Sequence, residues 1–97
     1  MDFTAATADQ VLAIRVNAGI DELATHERFS AATPDMVEAI VEGIGQFAAG
    51  EWAPLNRIGD KEGAILANGT VSLPDGFAAA YQAYVEQGWN AIAGDEA

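Results

Sequence analysis

Apolar residues recur at helical spacing most clearly between residues 34 and 48. Val37, Ile40, Val41, Ile44, Phe47 and Ala48 fall on one face, and Asp35, Glu38 and Glu42 fall between them. Thr33 is a good N-cap, Pro34 suits the first helical position, and Asp35 lies where negative charge favours the helix dipole. The pattern predicts an amphipathic helix. Gly43, Gly45 and Gly50 interrupt it, and each costs about 1 kcal/mol relative to Ala in a helix interior. Either a neighbouring backbone packs closely here or the helix depends on tertiary support. Pro54 has no amide donor and its ring presses on the carbonyl of Gly50, which predicts a kink rather than a stop. Asn56, Arg57 and Ile58 then make one further turn before Gly59.

Elsewhere the periodicity is weaker. Residues 1–7 are small and polar and are expected to be loose. From Asp9 onward, Val11, Leu12, Ile14 and Val16 predict a short helix of imperfect spacing that stops near Gly19. Asp21 to Glu27 forms a second short piece with Ile20, Leu23 and Ala24 on one side, ending near Phe29, and residues 31–33 connect. Asp60-Lys61-Glu62-Gly63 reads as a polar turn. Ile65-Leu66 and Thr70-Val71-Ser72-Leu73 flank Ala67-Asn68-Gly69, and Asn-Gly takes the positive φ angles of a tight turn, so a β-hairpin is predicted. A lone two-stranded hairpin is barely stable in water and must lean on something. Pro74-Asp75-Gly76 opens a last helix in which Phe77, Ala80, Tyr81, Tyr84 and Val85 share a face, with Gly88 as its C′ residue. Trp89 and Ile92 follow, and Gly94-Asp95-Glu96-Ala97 closes the sequence. The aromatic residues Phe47, Trp52, Phe77, Tyr81, Tyr84 and Trp89 read most simply as core. The expected class is mainly α: a small bundle of three or four helices with one short β-hairpin.

Composition narrows the function more than it defines it. Ninety-seven residues make one small domain, and fifteen acidic against four basic residues leave a net charge of −11. That balance argues against nucleic acid or an anionic membrane as partner. With no cysteine there is no disulfide framework or thiolate metal site, and an intracellular, cytoplasmic setting is expected. Met1-Asp2-Phe3-Thr4 does not begin a signal peptide, and no run of about 18 apolar residues predicts a membrane span. A hydrophobic content of 51% is too high for a disordered tail. Together with the glycine-bearing helix, it predicts self-association or marginal stability of the chain alone.

Several motifs fail on context. Gly43-x-Gly45-x-x-Ala48 matches a dinucleotide fingerprint, with Asp60 and Glu62 downstream. A buried strand should precede it, yet Glu38 and Glu42 interrupt any such strand and helical periodicity runs through the glycines. Asn68-Gly69-Thr70 is a glycosylation sequon by pattern and a hairpin turn by setting. His26 has no cysteine or second histidine to complete a metal site, and Asp60-Lys61-Glu62-Gly63 lacks the ligand alternation of a calcium loop. No serine sits in a nucleophile elbow, and neither Ser30 nor Ser72 lies in the Asp-Ser-Leu of an acyl carrier protein. Glu38, Glu42 and Glu86 belong to polar helix faces.

Three stretches resemble a known family when taken in order. Ala32-Thr33-Pro34-Asp35-Met36-Val37 comes first, and Ala53-Pro54-Leu55-Asn56-Arg57-Ile58-Gly59-Asp60-Lys61-Glu62-Gly63 second. Pro74-Asp75-Gly76-Phe77 with Gln87-Gly88-Trp89 completes the set. They are similar to the N-terminal helical region of acyl-CoA dehydrogenases, in a bacterial branch that carries a short extra N-terminal segment. The order and spacing agree from about residue 20 to the end. Residues 1–19 stand as an N-terminal extension without the family's usual Arg-Asp, and residues 20–97 as the dehydrogenase-like helical domain.

The resemblance implies oxidation of the Cα–Cβ bond of an acyl-CoA thioester, in which a glutamate base takes the α-proton and the β-hydride passes to FAD. It implies a longer enzyme in which a middle β-domain and a C-terminal helical domain hold the flavin and supply the base. It also implies homo-oligomeric assembly. No catalytic, cofactor-binding or metal-binding position carries over onto a residue of this chain. The kinked helix and the final helix would be packing elements beside the acyl pocket. The expectation is thus the N-terminal part of a flavin-dependent acyl-CoA dehydrogenase, inactive by itself. The alternative is a stand-alone acidic helical interaction module or subunit.

Overall fold

The computed structural model describes residues 2–95; Met1 of the leading segment, and Glu96 and Ala97 of the closing one, lie outside them. The chain divides into two compact units, Met1–Ala49 and Gly50–Ala97.

In the first unit α1 (Thr7–Asn17) is followed by α2 (Ile20–Leu23), a 3-10 turn at Glu27–Phe29 and α3 (Pro34–Phe47). α1 packs against α3. The start of α3 follows its sequence signals: Thr33 is extended, and its Oγ1 accepts from the Met36 amide at 3.3 Å, with Pro34 in the first turn. Val41, Gly45 and Phe47 are buried, on the face that the apolar spacing defines. The expected loose segment is partly fixed. A Cβ built on Gly45 would lie 3.0 Å from the Ala5 Cβ and 3.2 Å from Thr7 Cγ2, so the absence of a side chain lets the N-terminal segment approach α3. Gly45 therefore fulfils the close-approach reading, whereas Gly50 has nothing within 4 Å and does not.

α1 begins two residues before Asp9 and ends at Asn17, short of Gly19, whose φ of +61° turns the chain into α2. The imperfect spacing of α1 has a visible consequence: Leu12 is 61% and Val16 71% exposed. The second piece is shorter than expected. α2 ends at Leu23 because the Thr25 hydroxyl donates to the Glu22 carbonyl at 2.7 Å and His26 is extended, which offers the backbone a turn in place of a helix.

The expected kink before Pro54 takes the form of a π-helical turn over Ala48–Trp52, which leads into α4 (Ala53–Glu62). Pro54 sits in the first turn of α4, where its missing amide is tolerated. The expectation that this helix stops near Gly59 is corrected. Gly59 is helical, the polar run Asp60-Lys61-Glu62 forms the last turn, and Gly63 ends it with φ +67° and an amide donating to the Gly59 carbonyl at 2.9 Å.

The hairpin is present as expected. β1 (Ile65–Ala67) pairs antiparallel with β2 (Thr70–Ser72), Leu66 opposite Val71, about a turn in which Asn68 has φ +52° and Gly69 φ +76°. α5 (Phe77–Glu86) follows, Gly88 ends it in the left-handed region, and a 3-10 turn covers Trp89–Ala91. Four helices of ten residues or more and one hairpin thus dominate the regular structure of the described residues, in agreement with the mainly helical class.

The contrast between the two glycines is measurable. Gly45→Ala should destabilise the protein by about 1 kcal/mol, because the contact with Ala5 and Thr7 outweighs the gain in helix propensity. Gly50→Ala, with open space around it, should stabilise by about 0.5 kcal/mol through the unfolded chain. Urea unfolding of both variants checks the pair; equal signs would contradict the packing described.

Candidate functional site

A concave feature within the second unit lies between α4 and α5. α4 builds one wall from two adjacent rows four residues apart: Trp52, Asn56 and Asp60 in one, Leu55, Gly59 and Gly63 in the other. α5 builds the opposite wall with Phe77, Ala80 and Tyr81, at the i, i+3, i+4 spacing of one helix face. Ala64, Leu73 and Pro74, the stems of the hairpin and the residue after it, close one end. The groove has a volume of about 570 Å³ and is open to solvent along its length.

Two glycines make its walls fit. A Cβ on Gly59 would lie 2.7 Å from Phe77 Cζ, so the Phe77 ring occupies the space that a side chain on α4 would take. Gly76 serves twice: its φ is +95°, and a Cβ there would lie 2.9 Å from Leu55 Cδ2. Trp52 is tied across the groove, its Nε1 donating to the Ala80 carbonyl at 3.5 Å while its ring lies 4.9 Å from that of Tyr84. Tyr81 continues the aromatic row, 6.2 Å from Tyr84.

The reading of all six aromatics as core is therefore corrected. Phe47 is buried and Phe77, Tyr84 and Trp89 are half-buried, but Trp52 is 44% and Tyr81 63% exposed. A helix face shared by Phe77, Ala80, Tyr81 and Tyr84 is wider than the neighbouring α4 covers, so its outer edge stays in solvent. The groove itself is a feature that the sequence reading missed. The signal was the pair of four-residue rows in Trp52–Gly63, which the assumed stop at Gly59 cut in half.

Other candidate chemistry is dispersed. Gly43 and Gly45 lie inside α3 with no strand before them among the described residues, which removes the dinucleotide reading. His26 is exposed at the start of a 3-10 turn. Ser72 Oγ donates to the Ile65 carbonyl at 3.5 Å across the hairpin. Glu38, Glu42 and Glu86 are exposed. Among the described residues no three His, Asp or Glu side chains come together as a metal site. No helix among them is long and apolar enough to cross a membrane.

The groove does not fit a flavin dinucleotide. The diphosphate of such a cofactor is met by basic side chains or converging amides. Here the charged lining residue among the described ones is Asp60, a carboxylate, and no lysine or arginine lines the walls.

Comparison with known proteins leads to the same class as the motifs, the acyl-CoA dehydrogenases. The relative found is 3-methylmercaptopropionyl-CoA dehydrogenase of Ruegeria pomeroyi, 35% identical over 92 residues, which take in 95% of this chain. The matched part is 16% of that relative, so this chain spans about a sixth of its length. No protein-family model matches the chain, and no solved structure does. The resemblance read from Ala53–Gly63 and its neighbours is thereby borne out as homology to a segment of a dehydrogenase.

The Gly59–Phe77 contact gives a sign-reversing test. Gly59→Ala alone should cost about 1 kcal/mol, since overpacking against the ring exceeds the helix-propensity gain. With Phe77→Ala in place the same change should stabilise by about 1 kcal/mol. A double-mutant cycle by thermal unfolding measures both values, and the same sign in both backgrounds would refute the contact.

Proposed function

We propose that this chain serves as the N-terminal helical part of a flavin-dependent acyl-CoA dehydrogenase that oxidises the Cα–Cβ bond of an acyl-CoA thioester. The observation that carries this reading is the 35% identity to a dehydrogenase segment across 95% of the chain. The division of residues into 1–19 as an extension and 20–97 as the dehydrogenase-like region is part of the proposal, as are homo-oligomeric assembly and a cytoplasmic setting. Its role is structural. The flavin and the base belong to other domains of the enzyme, and α4 and α5 pack beside the acyl chain.

Physical chemistry supports that division of labour. A base acting on an α-proton must be a carboxylate within hydrogen-bond reach and shielded from water. Glu38, Glu42 and Glu86 are exposed, and Asp60 borders an open groove. The groove is apolar over most of its lining but carries nothing to receive a diphosphate. The alternative, a stand-alone interaction module, draws on the exposed apolar side chains, of which Leu66 at 72% is the most exposed in the second unit.

The native mass of the gene product separates the two readings. A product several times heavier than 10.1 kDa that carries stoichiometric flavin and reduces an artificial acceptor with an acyl-CoA would support the first. A 10.1 kDa product without flavin would overturn it in favour of the module. The 97 residues alone, reconstituted with FAD, should show neither bound-flavin absorbance nor turnover. Stoichiometric flavin on them would refute the assignment of cofactor chemistry to other domains.

A further inference from the structure

We infer that Asn68, at the tip of the hairpin, is a modification site: its side-chain amide is lost as ammonia through attack by the Gly69 backbone nitrogen, at a rate set by opening of the hairpin. Nothing in this depends on the dehydrogenase reading. It stands on the residue pair, the turn that holds the pair, and how little structure surrounds that turn.

The pair supplies the reactants. Asparagine is a chemically labile side chain. Of Asn17, Asn56, Asn68 and Asn90, Asn68 is the one followed by glycine. With no Cβ on Gly69, nothing on that residue shields its amide nitrogen from the side chain before it. Once the nitrogen has given up its proton it bonds to Asn68 Cγ, the Cγ–Nδ2 bond breaks, and ammonia leaves carrying a proton from solvent. The product is a five-membered succinimide. Water then opens the ring at Cγ to give aspartate, or at the Asn68 carbonyl carbon to give isoaspartate, whose chain runs through Cβ. The net change is asparagine plus water to acid plus ammonia, and no electrons are exchanged.

The turn holds the reaction off. Asn68 and Gly69 have φ of +52° and +76°, the signature of a type I′ turn. In such a turn the torsion about the Asn68 Cα–C bond points the Gly69 nitrogen away from Cβ and Cγ, so the ring cannot close until the turn opens.

Opening costs little here. The hairpin is two strands of three residues, with no third strand beside them among the described residues, and every residue of both strands is exposed. Hairpins of this size are marginal, and local opening is easiest where few buried apolar contacts resist it. Asn68 and Gly69 are themselves exposed, so water reaches the ring once it forms. The change runs one way. Isoaspartate lengthens the backbone by a methylene group, and a two-residue turn with that insertion no longer sets Ala67 opposite Thr70.

Peptide mapping by mass spectrometry of the full natural gene product, aged at mildly alkaline pH, tests this. Asn68 should gain the mass of an amide-to-acid exchange many-fold faster than Asn17, Asn56 and Asn90 in the same sample, with isoaspartate found at position 68 by electron-transfer fragmentation. The rate should rise with pH, since the Gly69 nitrogen must lose its proton. Leu66→Ala removes half of the cross-strand pair with Val71 and should speed the conversion several-fold. Asn68→Gly keeps a residue suited to the turn and should leave the mass of that segment unchanged. Far-UV circular dichroism confirms retained helix in both variants. Conversion at Asn68 no faster than at Asn56, which lies within α4, would overturn the site. A rate at Asn68 indifferent to Leu66→Ala would overturn control by the hairpin.

Discussion

Pro54 has no amide hydrogen, and so the carbonyl of Gly50 loses the donor that an uninterrupted α-helix would give it. Much of the second unit depends on how the backbone resolves this. The ladder opens into a π turn over Ala48–Trp52, and α4 restarts at Ala53 with the proline in the first turn, where no donor is required. Gly50 lies in that turn with open space around it, so the wider π geometry meets no side-chain obstruction. The turn ends on Trp52, which heads the row Trp52, Asn56, Asp60 along one wall of the groove. π turns often coincide with functional positions, and here the turn delivers an indole whose Nε1 reaches the Ala80 carbonyl on the opposite wall.

A second constraint is the shortage of interior. Val41, Phe47 and Ala80 are the buried hydrophobic side chains among the described residues, in a sequence of which 51% is hydrophobic. A small domain has little volume in which to hide apolar atoms. The glycines respond to this by trading side chain for closeness: Gly45 admits Ala5 and Thr7, Gly59 admits Phe77, and Gly76 admits Leu55. What cannot be brought close stays outside. The hairpin shows this most plainly, since Leu66 and Val71 face each other across the strands at 72% and 63% exposure. Cross-strand pairing holds them together, but no layer covers them within the unit.

Local signals were legible where a single residue type dictates a backbone state. Thr33-Pro34-Asp35 marked the start of α3, Asn68-Gly69 the hairpin turn and Gly88 the end of α5, because capping and positive φ are properties of those residues themselves. Glycine misled when read as a stop without its surroundings. Gly59 is helical, and its missing side chain leaves the space that the Phe77 ring fills, a partner eighteen residues away in sequence. The aromatic residues misled in the same way. Helical spacing placed Phe77, Ala80, Tyr81 and Tyr84 on one face correctly, but spacing cannot say how much of a face its neighbour covers. The family motif was legible because it combines both kinds of signal, with Pro54, Gly59, Gly63 and Gly76 all standing at positions where the backbone or a ring requires them.

Those same positions bear on the meaning of the motif. In Ala53–Gly63, Pro54 permits a helix to restart, Leu55 fills the space over Gly76, Gly59 receives the Phe77 ring, and Gly63 ends the helix at positive φ. Leu55, Gly59 and Gly63 line the groove, and none of the four residues offers a proton, a nucleophile or a metal ligand. Of the motif's polar residues, Asn56 and Asp60 line the open groove, while Arg57, Lys61 and Glu62 are exposed and do not line it. A reaction site would concentrate titratable groups in a dry cavity. Here glycine, proline and apolar side chains make up most of the lining of a cleft that is open to water.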